Sequence, residues 1–144
     1  MYCLPADEHI RQLLQQVKTI AVVGLSDKTH RDSYRVAKYM QEHGYRIIPV
    51  NPRLKTILGE ESYPDLLSIP EPVDIINVFR RSELVPPVVS DALHLNPKAI
   101  WLQLGIMNEE AADIADKAGI SIIMDKCIKV EHARLLGNCG ILPL

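Results

Sequence analysis

Long apolar runs are missing from this chain. None approaches the ~20 residues that span a bilayer, so no membrane segment is expected. Cysteine is scarce. Cys3, Cys127 and Cys139 are odd in number and form no CxxC, which argues against a disulfide framework and suits reduced thiols in a cytoplasm. An excess of one charge is missing too. The formal net charge is -2, which argues against a broad nucleic-acid surface but leaves room for one local anion site. Met1 to Gln16 lacks the basic-then-apolar pattern of a signal peptide. Chemical signatures are equally thin. His9, His30, His43, His94 and His132 show no metal-ligand spacing such as HxxxH, so no metal is expected. There is no GxSxG elbow and no P-loop. Glu131 and His132 are adjacent, and helix neighbours face different directions, so the pair reads as structural. No catalytic residue is identified.

What is present is a regular alternation of apolar strands and amphipathic helices. The 144 residues, 47% of them hydrophobic, suit one domain with a sizeable core. An opening helix buries Ile10, Leu13, Leu14 and Val17, with Asp7 as its expected N-cap. Five runs read as strands: Ile20 to Val23, Ile47 to Val50, Ile75 to Phe79, Ala99 to Leu104 and Ile120 to Met124. Their continuous apolarity predicts burial on both faces. The intervening helices show start and stop signals, with Pro86 and Pro87 in a first turn, Asn108 at a cap, and Gly44 and Gly119 at ends. Pro52 to Pro72 reads as a long connection, and a short last helix is expected from Val130 to Leu136. The organisation predicted is an N-terminal helical segment over 1–18, one nucleotide-binding domain over 19–136, and a tail over 137–144. The fold class is α/β: a doubly wound, Rossmann-like, five-stranded parallel sheet with helices on both faces. The expected strand order is 3-2-1-4-5.

In such sheets ligands bind beyond the carboxyl ends of the strands, where the strand order reverses. That rule makes the five strand ends the candidate site. The first is Gly24-Leu25-Ser26, followed by a loop to Tyr34 that holds one glycine instead of GxGxxG. Ser26 and Ser33 offer hydroxyls there, Arg31 a charged fork, and the helix start free N–H groups. Ser33 suits an N-cap as well, and Arg31 a solvated surface. The second end, Asn51-Pro52-Arg53, has no acid for the ribose 2′-hydroxyl of NAD. Its arginine suits an extra ribose phosphate, which NADP carries at the 2′ and coenzyme A at the 3′ position. The missing GxGxxG counts against NADP. The third end, Val78-Phe79-Arg80-Arg81, offers an apolar surface for adenine, although Phe79 also suits plain core packing. Gln103-Leu104-Gly105 and Asp125-Lys126-Cys127 complete the set.

These blocks, taken in order, resemble the stand-alone CoA-binding protein family. The resemblance rests on Ile20 to Ser26, Arg31 to Val36, Gly44 to Pro52, Val73 to Glu83, Ile100 to Gly105 and Met124 to His132. That family is similar to the nucleotide-binding half of the succinyl-CoA synthetase alpha subunit. The resemblance implies that Gly24, Ser26, Arg31 and Ser33 hold CoA phosphates. It places Asn51, Pro52 and Arg53 at the adenosine 3′-phosphate, with arginine where the synthetase has lysine. Val78, Phe79 and Arg80 would border the adenine. Gln103, Gly105, Asp125 and Cys127 would lie nearer the pantetheine arm. The synthetase's phosphorylated histidine sits in a second domain that this sequence does not contain, so the resemblance implies binding of CoA or an acyl-CoA without ligation.

Two enzyme readings compete with a binding module, an NADP-dependent oxidoreductase and an acyl-CoA enzyme using Cys127, and so does a structural subunit that retains the fold without ligand. Symmetric dimers are common assemblies, so a homodimer stands open, as does an unidentified protein partner.

Overall fold

The apolar runs pair side by side in the computed structural model, which describes residues 2–137. β1 (Thr19–Val23), β2 (Arg46–Val50), β5 (Ile75–Val78), β6 (Ala99–Leu102) and β7 (Ser121–Ile123) form one parallel sheet in the order β2-β1-β5-β6-β7. β1 is in register with β2 through Ile20↔Ile47 and with β5 through Ile20↔Ile75. The α/β class, the five parallel strands and the double winding are as expected. The strand order is not. Numbered by apolar runs it is 2-1-3-4-5, because the third run pairs with the first and not with the second.

Something else takes the outer edge of β2. The chain beyond it makes a small hairpin, β3 (Thr56–Ile57) and β4 (Glu60–Glu61), and returns along β2. Tyr63 donates to the Pro49 carbonyl at 3.0 Å and accepts from the Asn51 N–H at 2.9 Å. The hairpin loop Leu58-Gly59 has positive φ at both residues, 56° and 77°, the geometry of a type I′ turn. So 52–72 is partly a cover for the sheet edge.

Helices cover both faces. α1 (Asp7–Gln16), α2 (Asp32–Glu42) and α5 (Ile128–His132) pack one face, burying Ile10, Leu14, Val36, Met40 and Ile128 around Trp101. α3 (Val85–Leu93) and α4 (Glu109–Lys117) pack the other, through Val85, Val89, Ala92, Ala111 and Ala115. Asn108 caps α4 by accepting from the Ala111 N–H at 2.9 Å. Asp7 does not cap α1. It is the first helical residue, after Ala6, and its carboxylate takes both Arg134 nitrogens at 2.8 and 2.9 Å. The last helix begins at Ile128, two residues earlier than the sequence suggests, and ends in a π-turn, Ala133–Gly137. The tail from 138 onward, Cys139 included, lies outside the described residues.

Candidate functional site

The sheet order reverses at β1, and the chain there is glycine for a steric reason. Gly24 has φ +85°, and a Cβ on it would lie 2.3 Å from the Phe79 carbonyl oxygen. Three strand ends are drawn together at this point: Gly24 N–H donates to Val50 at 3.0 Å, and Phe79 N–H donates to Val23 at 2.9 Å. The ends of β1 and β5 therefore stand in close contact, with a crevice above them.

The loop after Gly24 is built from its own polar groups. Leu25 is fully buried and anchors it. The Ser26 N–H donates to Ser33 Oγ at 3.0 Å, and Lys28 N–H to Ser26 Oγ at 3.0 Å. Ser33 is thus buried loop support at the second residue of α2, not its N-cap. Arg31 occupies the cap position in extended backbone and makes no side-chain cap, so the first-turn N–H groups of α2 are left without a side-chain acceptor. Asn51 ties this loop to β2, donating from Nδ2 to the Leu25 carbonyl at 2.9 Å while Oδ1 accepts from Arg53 N–H at 2.9 Å.

A cleft of about 750 Å³ results, lined by Gly24, Ser26, Lys28, His30, Arg31, Asp32, Ser33, Arg53, Phe79 and Arg80. The pattern of arginine pairing marks it out. Arg11, Arg35, Arg46 and Arg134 all hold a carboxylate. Among the described residues Arg31, Arg53, Arg80 and Arg81 make no ion pair and no side-chain hydrogen bond, and the first three line the cleft. Lys28 adds a further cation without an ion pair among the described residues. In a chain of net charge -2, this end is a local concentration of positive charge.

A second cleft of about 390 Å³ adjoins the first and shares Asp32 and Phe79 with it. Its walls are Val36, Leu104, Ile106 and Val130, with Gln103, Cys127, Arg35 and Lys129. Gln103 is held by accepting from the Ile128 N–H at 3.0 Å. α5, which carries Lys129 and Val130, is fixed to α2 through Tyr39 OH and His132 Nδ1, 2.9 Å apart. Burial, and then the nearby His43, push the His132 pKa down. Glu131 points elsewhere, to Arg134 at 2.6 Å, so the adjacent pair serves two separate contacts.

The structure brings Gly24, Ser26, Arg31, Ser33, Arg53, Phe79 and Arg80 together in the first cleft, and Phe79, Gln103 and Cys127 in the second. Asn51, Pro52, Val78, Gly105 and Asp125 line neither. Val78 is wholly inside the core. Asp125, with φ 62°, spends Oδ1 on the Gly105 N–H at 2.7 Å and so ties together the loops after β6 and β7. Sequence reasoning missed Lys28, His30 and Asp32, although all three lie in the stretch it singled out. It also missed Arg35, Ile106, Lys129 and Val130, which the fold brings in from two helices and a loop. Among the described residues no group of three or more His, Cys, Asp or Glu side chains is placed to hold a metal ion, and no helix is long and apolar enough to cross a membrane.

Known proteins resemble this chain. A Bacillus subtilis protein of uncharacterized function, YneT, is 47% identical over 129 residues, covering 90% of this chain and 96% of its own length. A solved hypothetical protein from Pyrococcus horikoshii superposes with a TM-score of 0.90 at 41% identity, over 92% of this chain and 94% of the other. The ADP-forming acetate–CoA ligase I of Archaeoglobus fulgidus is 24% identical over 131 residues, covering 84% of this chain but 19% of the ligase. The chain therefore spans about a fifth of that enzyme's length. The family model described as a CoA binding domain matches residues 18–133, and with that span covering all five strands of the sheet, the chain belongs to the CoA-binding domain family.

Proposed function

We propose that the chain binds coenzyme A with its phosphates in the cationic cleft and its pantetheine arm toward the second cleft. One observation carries this reading. The arginines without a carboxylate partner gather at the crevice where the sheet order reverses, and an unpaired guanidinium is a ready-made partner for phosphate. Arg31, Lys28 and the start of α2 suit the pyrophosphate. Arg53, beyond β2, suits the ribose 3′-phosphate, in the place where an NAD site would carry an acid. Phe79 joins the two clefts and suits the junction between nucleotide and arm. Gly24, Ser33, Asn51, Gly105 and Asp125 hold the walls.

Calorimetric titration with CoA, dephospho-CoA and NAD tests the reading. CoA is expected to bind, dephospho-CoA more weakly, and NAD least. Arg53→Ala should weaken CoA by about 10- to 100-fold, the range of a charged hydrogen bond, and leave dephospho-CoA nearly unchanged. NAD binding as tight as CoA binding would overturn the proposal.

A further inference from the structure

We infer that the preferred ligand is an acyl-CoA with an aliphatic acyl group, and that Gln103 donates a hydrogen bond to its thioester carbonyl. This inference rests on the CoA reading above and specifies what occupies the second cleft.

Gln103 is 5% exposed, and its amide is oriented by the backbone. Oε1 accepts from Ile128 N–H at 3.0 Å, so Nε2 is the free end. Nε2 has no acceptor among the described residues. The one buried side-chain atom without a partner there is Asn77 Oδ1, so Nε2 is open to the cleft that Gln103 lines. The protein thus presents a fixed donor whose acceptor side is already used.

The rest of the wall decides which carbonyl suits that donor. A pantetheine amide brings a carbonyl and an N–H, and the N–H needs an acceptor of its own. Among the described residues the cleft's only carboxylate is Asp32, which holds Arg35 through Oδ1 and stands largely in solvent. Arg35 and Lys129 are donors, and Lys129 Nζ sits 5.5 Å over the Tyr39 ring. Val36, Leu104, Ile106 and Val130 offer no polar side chain at all. A thioester has an acceptor and no donor, and an aliphatic tail follows it, which matches a donor-only group in an apolar wall. Leu104 and Val130, 69% and 55% exposed, are large aliphatic side chains left in water. A bound acyl chain would cover them.

The test is titration of the full chain with CoA and with butanoyl-CoA, for wild type and two variants. Wild type should bind butanoyl-CoA about tenfold tighter than CoA, from the extra apolar burial and one hydrogen bond. Gln103→Leu should lose most of that advantage, costing butanoyl-CoA far more than CoA. Because it also removes the acceptor for Ile128 N–H, Gln103→Glu serves as the second variant, keeping that acceptor while replacing the donor by an oxygen. It too should lose butanoyl-CoA selectively. Equal affinity of wild type for the two ligands overturns the inference and leaves CoA binding standing. Equal losses of both ligands in Gln103→Glu would also overturn it, placing Gln103 against the shared arm. If neither ligand binds wild type, both readings fall.

Discussion

Gly24 is the position at which the ends of β1 and β5 leave no room for a methyl group. A Cβ there would meet the Phe79 carbonyl oxygen at 2.3 Å, in backbone that L side chains avoid at φ +85°. Gly105 supplies an internal control. Its φ is +84°, yet nothing lies within 4 Å of its added Cβ. Gly105→Ala should therefore cost about 1–2 kcal/mol, the penalty of left-handed backbone alone. Gly24→Ala should cost about 2 kcal/mol more than that, as an overpacking clash that must part β1 from β5. Urea unfolding of the two variants measures the difference, and equal losses would mean that the strand ends tolerate separation. At this scale the sequence is half informative. It shows which residues stand at strand ends and in the loops that follow them, and so it singles out Arg31, Arg53 and Arg80. It does not show which polar groups are spent on the backbone. Asn51 and Asp125 look like ligand contacts in the sequence, but their side chains hold Leu25, Arg53 and Gly105.

The packing of α5 on α2 determines where the second cleft's wall stands. Its polar element is Tyr39 OH with His132 Nδ1. His43 stacks on Tyr39 at 3.9 Å and meets the His132 ring at 5.1 Å, Tyr45 closes the cluster edge-on to His132 at 5.7 Å, and Lys129 stands over Tyr39. Burial pushes Tyr45 up to about 12, so it stays neutral here. His132 is held below its ordinary value of 6.5 by burial first and His43 second. The unfolded chain then takes up a proton that the folded chain resists. Stability should fall as pH drops below about 6.5, and stop falling for this reason once His132 protonates in the fold. His132→Phe should flatten the melting temperature between pH 7 and 5.5. Asp7 and Glu71, both held low by arginines, contribute only further into acid. The same slope in the variant would assign the pH dependence elsewhere. Element order shows a related limit. Apolar runs reveal strands but not their neighbours, and the expected order put the second strand inside the sheet. Pro49 was the legible contrary sign. A proline within a strand belongs at an edge, with its missing N–H facing outward, and Pro49 turns its carbonyl to Tyr63 at that edge.

Across the whole molecule, charge is arranged so that one end is poor for stability and suited to an anion. Arg46 lies far from the clefts' lining and is held by Glu71 at 2.7 Å and Glu60 at 3.4 Å. Arg31, Arg53 and Arg80 share one cleft with Lys28, and among the described residues none of the four has an ion pair. Like charges left facing each other destabilise a fold, and a bound polyanion relieves them. The two sets of arginines should consequently respond to substitution in opposite ways. Arg46→Gln should lower the melting temperature of the free protein slightly, since a half-exposed pair contributes at most about 1 kcal/mol. It should leave the rise in melting temperature on adding CoA intact. Arg31→Gln should leave the free protein unchanged or a little more stable, and it should abolish most of the CoA-dependent rise. Raising the salt concentration should stabilise free wild type more than free Arg31→Gln, because screening replaces what the substitution removes. Differential scanning fluorimetry of the three proteins, with and without CoA at two salt concentrations, reads all of these effects at once. A clear loss of stability in free Arg31→Gln would identify Arg31 as a structural residue, and the cationic cleft would then be a product of folding and not a site kept open for phosphate.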